Sequence, residues 1–149
     1  MGFVYGVKQE GVCGVGMLLK INSKFEFKCY MRAGRGTNSR AELLALWGIL
    51  FIAKKWMIKD NLIVADSQVM ISWAMGVENL QSLLLAPWMM KVRALILNFS
   101  GILFWHIYRE CNCIVDRLSK QGIWEMDGYI HYEVWRNISL ARSCKLGFT

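Results

Sequence analysis

Residues 43–53 run for eleven positions without a charge, and the residue before them is Glu42. Rich in Leu, Ala and Ile and free of Pro, residues 40–56 read as a buried helix. Such a helix must be covered by other elements, and a bilayer does not serve, because a span needs roughly 20 apolar residues. Arg40, Lys54 and Lys55 bound this one on both sides. The helix therefore belongs inside a folded core, and a chain of 149 residues supports one such core. With 55% hydrophobic residues, 19% charged residues and a single Pro, disorder and linker-rich arrays are excluded. No basic-then-apolar leader opens the sequence, so an intracellular location and no membrane association are expected.

The elements around the helix can be placed by pattern. Residues 3–7 form a short apolar run, and residues 14–21 a longer one that ends at Asn22-Ser23. Phe25, Phe27, Cys29 and Met31 then alternate with Glu26, Lys28 and Tyr30, the period of a strand. Three strands in an antiparallel set are predicted. After the helix come a short central strand at residues 62–65, a helix at 68–75 closed by Gly76, and a one-sided helix at 87–99. A β-branched and aromatic strand at 102–108 and a helix at 112–122 follow. This order implies an α/β domain over residues 1–122, with a five-stranded mixed sheet and helices on both faces. Residues 123–149 are an aromatic, mixed tail without an assigned structure.

The net charge is +7, and residues 1–40 hold seven Lys and Arg against Glu10 and Glu26. That excess suits a phosphate backbone or another anionic surface. The five cysteines are odd in number and scattered, without zinc-site spacing, so they read as structural thiols.

Three acids lie where acids are costly. Glu42 precedes the apolar run, Asp66 leaves the carboxyl end of a buried strand, and Asp116 lies one turn into the last helix. Each alone could be an ordinary first-turn or capping residue. Together they fall near one end of consecutive elements and are expected to meet within a few ångströms as a negative pocket. Clustered carboxylates repel, and a divalent cation with oxygen ligands, magnesium or manganese, is the usual relief.

The same residues carry a family resemblance. Thr37-Asn38-Ser39-Arg40-Ala41-Glu42-Leu43-Leu44-Ala45-Leu46 resembles the T-N-N-x-A-E-L-x-A-L helix start of ribonuclease H type 1 domains. Leu62-Ile-Val-Ala-Asp66-Ser67 is similar to their L-x-V-x-x-D-S strand end. His106-Ile-Tyr-Arg109-Glu110-Cys-Asn112, followed by Asp116, Leu118 and Lys120, resembles the H-V-Y-R-E-x-N-x-x-A-D-x-L-[AS]-K signature of the plant, retroelement-derived group. The resemblance implies the ribonuclease H-like fold and a two-metal hydrolysis of the RNA strand of RNA–DNA hybrids, with Mg2+, or Mn2+ in its place. Glu42, Asp66 and Asp116 would be the catalytic metal ligands. It also implies that Asn38 contacts the hybrid backbone, with Arg35, Arg40 and Lys8 as further phosphate contacts.

One motif departs. The family's first strand carries an Asp that bridges both metals, in a D-G pair, whereas Tyr5-Gly6 stands at that place with a two-residue deletion, and Phe3 without one. Neither is a carboxylate, so cation binding is expected to be weakened and turnover strongly reduced or absent. A nucleic-acid-binding module that lost catalysis, or a decayed element with no ligand, are the competing readings. His106 and the tryptophans Trp47, Trp56, Trp88 and Trp105 are read as core or packing residues.

Overall fold

The computed structural model describes residues 1–148; Thr149, the last residue of the tail, lies outside the described residues. Three strands open the chain, β1 (Gly2–Gln9), β2 (Val12–Lys20) and β3 (Phe25–Arg35). Helix α1 (Asn38–Lys55), β4 (Asp60–Ala65), α2 (Gln68–Met75), α3 (Ala86–Ile96), β5 (Gly101–His106) and α4 (Cys113–Gly122) follow. The tail adds β6 (Tyr129–Arg136) and β7 (Ser139–Gly147). All pair in one sheet of order β5-β4-β1-β2-β3-β6-β7. The β1–β2–β3 and β3–β6–β7 pairs are antiparallel, and β1–β4 and β4–β5 are parallel.

Local chemistry sets the boundaries. The β1–β2 turn takes Glu10 and Gly11 through φ of 51° and 80°, the left-handed pair that a tight hairpin demands. Asn22 Oδ1 accepts the Lys24 and Phe25 amides at 2.8 and 3.0 Å and closes the next hairpin. The Thr37 side chain caps α1 by accepting the Arg40 amide, and Ser67 caps α2 through the Met70 amide, both at 3.2 Å.

The sheet separates two apolar layers. Val4, Val15, Met17, Leu19, Phe27, Cys29 and Met31 face α1, whose buried side chains run from Ala41 to Ala53. Tyr5, Leu18 and Tyr30 face Val115 and Leu118 of α4 on the other side. The period-two reading of β3 thus gave the correct faces. Helices lie on both faces as expected, but the sheet has seven strands, because residues 129–147 add a hairpin to β3. Ile130 and Tyr132 bring that hairpin into the main core, where Phe27 and Trp56 rings lie 5.0 Å apart and Trp56 and Tyr132 6.2 Å. Two residues expected inside are outside. Trp105 is 64% exposed and His106 is exposed, because β5 is an edge strand and α4 does not cover it. Among the described residues no helix is long and apolar enough to cross a membrane.

Candidate functional site at the end of the parallel strands

The site starts from two glycines. Tyr5 of β1 pairs with Gly16 of β2, and Val4 with Ala65 of β4, so Tyr5 and Asp66 step past the parallel register together. A Cβ on Gly6 would lie 2.3 Å from the Ala41 carbonyl carbon and 2.6 Å from the Glu42 amide nitrogen. Only Gly lets the first turn of α1 press onto β1 there, and that approach delivers Glu42 beside Tyr5. On the opposite face, a Cβ on Gly16 would meet the Val115 carbonyl oxygen at 2.1 Å. Helix α4 therefore rests on β2 directly across from Tyr5 and brings Asp116. The buried Asn112 amide fixes its start by donating to the Val4 carbonyl at 2.9 Å.

Tyr5, Glu42, Asp66 and Ser67 line one narrow cleft, too tight to hold a water molecule. Ser67 donates its hydroxyl to Glu42 Oε2 at 2.9 Å. Burial pushes the Glu42 carboxyl above its ordinary range, against the Ser67 hydrogen bond, and the Asp66 charge pushes the same way. Burial likewise raises Asp66. Its own backbone amide and the charges of Arg109 and His106 pull it back, while Asp116 adds to the rise. Desolvation raises the Tyr5 phenol too; Arg109 opposes this, and Asp116, Asp66 and Glu42 reinforce it. Glu42 and Asp66 thus line one cleft with Tyr5, which is only 7% exposed, and the charge of Asp116 acts on Tyr5 from α4. Phe3 lies apart from them, lining a different pocket with Leu18 and Ile114.

The other candidates gather at the same end of the sheet. Asn38 is the exposed first residue of α1, and Lys8 is exposed near the end of β1. Arg35 Nη1 donates to the Glu10 carbonyl at 3.5 Å, across the β1–β2 turn. Arg40 is committed within the chain, its Nε donating to the Ala33 carbonyl at 2.7 Å and its guanidinium lying 5.9 Å from the Trp88 ring centre.

Two residues enter that sequence reasoning did not place there. Arg109, in a short 3₁₀ turn (Arg109–Cys111), holds its guanidinium carbon 5.1 Å from the Tyr5 ring centre. His106 Nε2 lies 3.2 Å from the Asp66 backbone oxygen. Their position at the end of β5 and just after it was legible; their reach across β4 to the acids depends on tertiary structure.

The metal pair implied by the resemblance can be tested against these donors. Among the described residues no three His, Cys, Asp or Glu side chains stand close enough to hold a metal ion. Glu42 is engaged by Ser67, and Asp116 Oδ2 lies 3.7 Å from Lys120 Nζ. Asp116 Oδ1 is buried without a hydrogen-bond partner, but carboxylate oxygens that do not group in threes fall short of the near-octahedral oxygen shell of magnesium. A neutral phenol, Tyr5, shares the cleft of Glu42 and Asp66. The residues present do not fit a metal pair.

No curated protein sequence matches the chain. Ribonuclease H1 of Halobacterium salinarum NRC-1 superposes with a TM-score of 0.73 at 21% identity, over 82% of this chain and 95% of that one. The N-terminal ribonuclease H domain of a Mycobacterium tuberculosis protein gives 0.72 at 20% identity, over 82% and 92%. LC11-RNase H1, isolated from compost and crystallised with an RNA/DNA hybrid, gives 0.72 at 18% identity, over 82% and 94%. These likenesses establish the ribonuclease H-like fold. The sequence of residues 4–122 matches the family described as reverse transcriptase-like, and the chain belongs to that family.

Proposed function

We propose that this domain binds nucleic acid as a ribonuclease H-type module directed at RNA–DNA hybrids, and that its hydrolytic activity is strongly reduced or absent. The observation that carries this reading is the placement of Tyr5. It lines the cleft with Glu42 and Asp66, where the resemblance puts a metal-bridging carboxylate. A phenol held above its ordinary pKa by burial is neutral at physiological pH and a poor ligand for a hard cation. Hydrolysis by a metal pair depends on its ligands acting as a unit, so loss of the shared one removes most of the rate.

Binding has separate support. Among proteins of this fold, LC11-RNase H1 and a foamy viral protease-reverse transcriptase are known in complex with RNA/DNA hybrid, and the latter also with double-stranded DNA. In this chain Asn38, Arg35 and Lys8 are exposed at the end of the sheet that bears the acids. A short polar side chain beside guanidinium and ammonium groups suits an A-form backbone, where 2′-hydroxyls and phosphates alternate.

The deciding experiment measures binding and cleavage together, with a labelled RNA–DNA hybrid and the corresponding DNA and RNA duplexes. The native chain should bind the hybrid with an affinity that falls steeply with salt, and cleave it in magnesium or manganese at no more than a trace of an ordinary ribonuclease H rate. Tyr5→Asp should raise cleavage. Rapid cleavage by the native chain would remove the loss-of-activity reading, and absence of salt-sensitive hybrid binding would remove the binding reading.

A further inference from the structure

The mismatch between this acid cluster and a metal pair has a structural counterpart. Glu42 and Asp66 line one cleft with Tyr5 and the charge of Asp116 acts on it from α4, and like charges so placed destabilise one another unless a positive group is supplied. A cation from outside the acids' own elements, Arg109, reaches Tyr5. Its guanidinium carbon lies 5.1 Å from the Tyr5 ring centre, on a turn fixed by the Cys111 amide donating to the Tyr108 carbonyl at 2.9 Å and the Asn112 amide to the Arg109 carbonyl at 2.9 Å. The turn is anchored in turn by Asn112, whose side chain is tied to Val4, next to Tyr5. The guanidinium thus reaches Tyr5 from a fixed base, and its charge acts on both Tyr5 and Asp66.

We propose that Arg109, seated against the ring of Tyr5, is the built-in counter-charge of the cleft that Tyr5 shares with Glu42 and Asp66, and that the site consequently takes up no divalent cation. A guanidinium remains charged at any pH the fold survives, and it is weakly hydrated, so it serves beside a half-buried carboxylate group without the dehydration that magnesium resists. The Tyr5 ring supports it in a way an Asp could not, by offering an aromatic face to the cation. Lys120, 3.7 Å from Asp116 Oδ2, supplies the second positive charge on the α4 side. The inference deepens the hybrid-binding reading by making that binding independent of metal, and only its second measurement rests on that reading.

The first measurement is thermal unfolding of the full chain in MnCl2 or MgCl2 against KCl of equal ionic strength. The native chain should show the same Tm in all three. Tyr5→Asp should gain a manganese-specific rise of several degrees, the linkage signature of a ligand bound only by the folded state. Arg109→Ala should become manganese-sensitive in the same sense, and Arg109→Lys, which keeps the charge, should stay insensitive; a purely structural role for Arg109 would lower Tm equally in every salt. A manganese-specific rise in the native chain would overturn the proposal, as would an Arg109→Ala chain indifferent to manganese. The second measurement is hybrid binding in EDTA and in magnesium at matched ionic strength. Equal affinity is expected, and a gain of tenfold or more in magnesium would overturn it. Failure to bind hybrid in either medium, with the unfolding results as expected, would refute the hybrid-binding reading while upholding the internal counter-charge.

Discussion

Ser67 joins two functions in one hydroxyl: it donates to Glu42 Oε2 at 2.9 Å while accepting the Met70 amide at 3.2 Å as the cap of α2. The bond recovers part of the cost of burying Glu42 and does not cancel it, since the carboxyl stays above its ordinary value of 4.5. The folded chain therefore holds the Glu42 proton more tightly than the unfolded chain. Stability is highest at and below that ordinary value, falls as pH rises through the window up to the raised pKa, and is level above it. Glu42→Gln, which keeps an oxygen for Ser67, should raise stability at neutral pH by about 0.5–2 kcal/mol and flatten its decline between weakly acidic and neutral pH. Urea unfolding at a series of pH values checks this, and a variant less stable than the native chain at pH 7 would contradict it.

Asn112 is 3% exposed, and its amide bridges α4 to the Val4 carbonyl. Asn112→Ala removes the donor and leaves both that oxygen and a small void inside. The expected loss is about 1–3 kcal/mol. Because the same contact orders the turn that holds Arg109 against Tyr5, the variant should also show the manganese-specific rise in Tm expected of Arg109→Ala. Unchanged stability would show that water replaces the amide.

Much of the fold could be read from the chain because its patterns are clean where one face is buried. Alternation at Phe27, Cys29 and Met31 gave the faces of β3, and Ser67 with Gly76 bracketed α2 at both ends. The tail resisted for the opposite reason. Ile130, Tyr132 and Val134 do alternate, but the outward positions carry His131 and Trp135, which blur the polar half of the pattern, and β7 is mostly exposed. At the site, the acids were visible as charges beside apolar runs. Arg109 was not, since its partner Tyr5 is 104 positions away and only the sheet order brings β5 and β1 to either side of β4.

Gly6 is the position where the site and the core depend on the same missing atom. A methyl group there would fall 2.3 Å from backbone of α1, which no rotamer change can relieve. Gly6→Ala should lower stability by about 1–3 kcal/mol or more through overpacking. The relief open to it is a shift of α1 away from β1, carrying Glu42 with it. In a Tyr5→Asp background, the added Gly6→Ala change should therefore abolish the gained cleavage under conditions where the protein remains folded. Retained cleavage would mean that Glu42 does not need its approach to β1.

The family match ends at residue 122, yet the strongest test of the domain's limits lies beyond it. The β6–β7 hairpin covers the edge of β3, pairing residues from Phe25 to Met31, and seats Tyr132 beside Phe27 and Trp56. Phe148 meets Trp47 on α1, their ring centres 5.1 Å apart. Cutting the chain after Gly122 would bare a long edge strand with Phe27 at its side, the kind of surface that pairs with other copies. The truncated chain is expected to self-associate in sedimentation experiments and to unfold at lower urea. Tyr132→Ala, which keeps the strand but empties its aromatic contact, should remain monomeric and lose about 2–4 kcal/mol. The two variants separate edge protection from packing. A truncated chain as stable and monomeric as the native one would show that the hairpin is carried by the domain without supporting it.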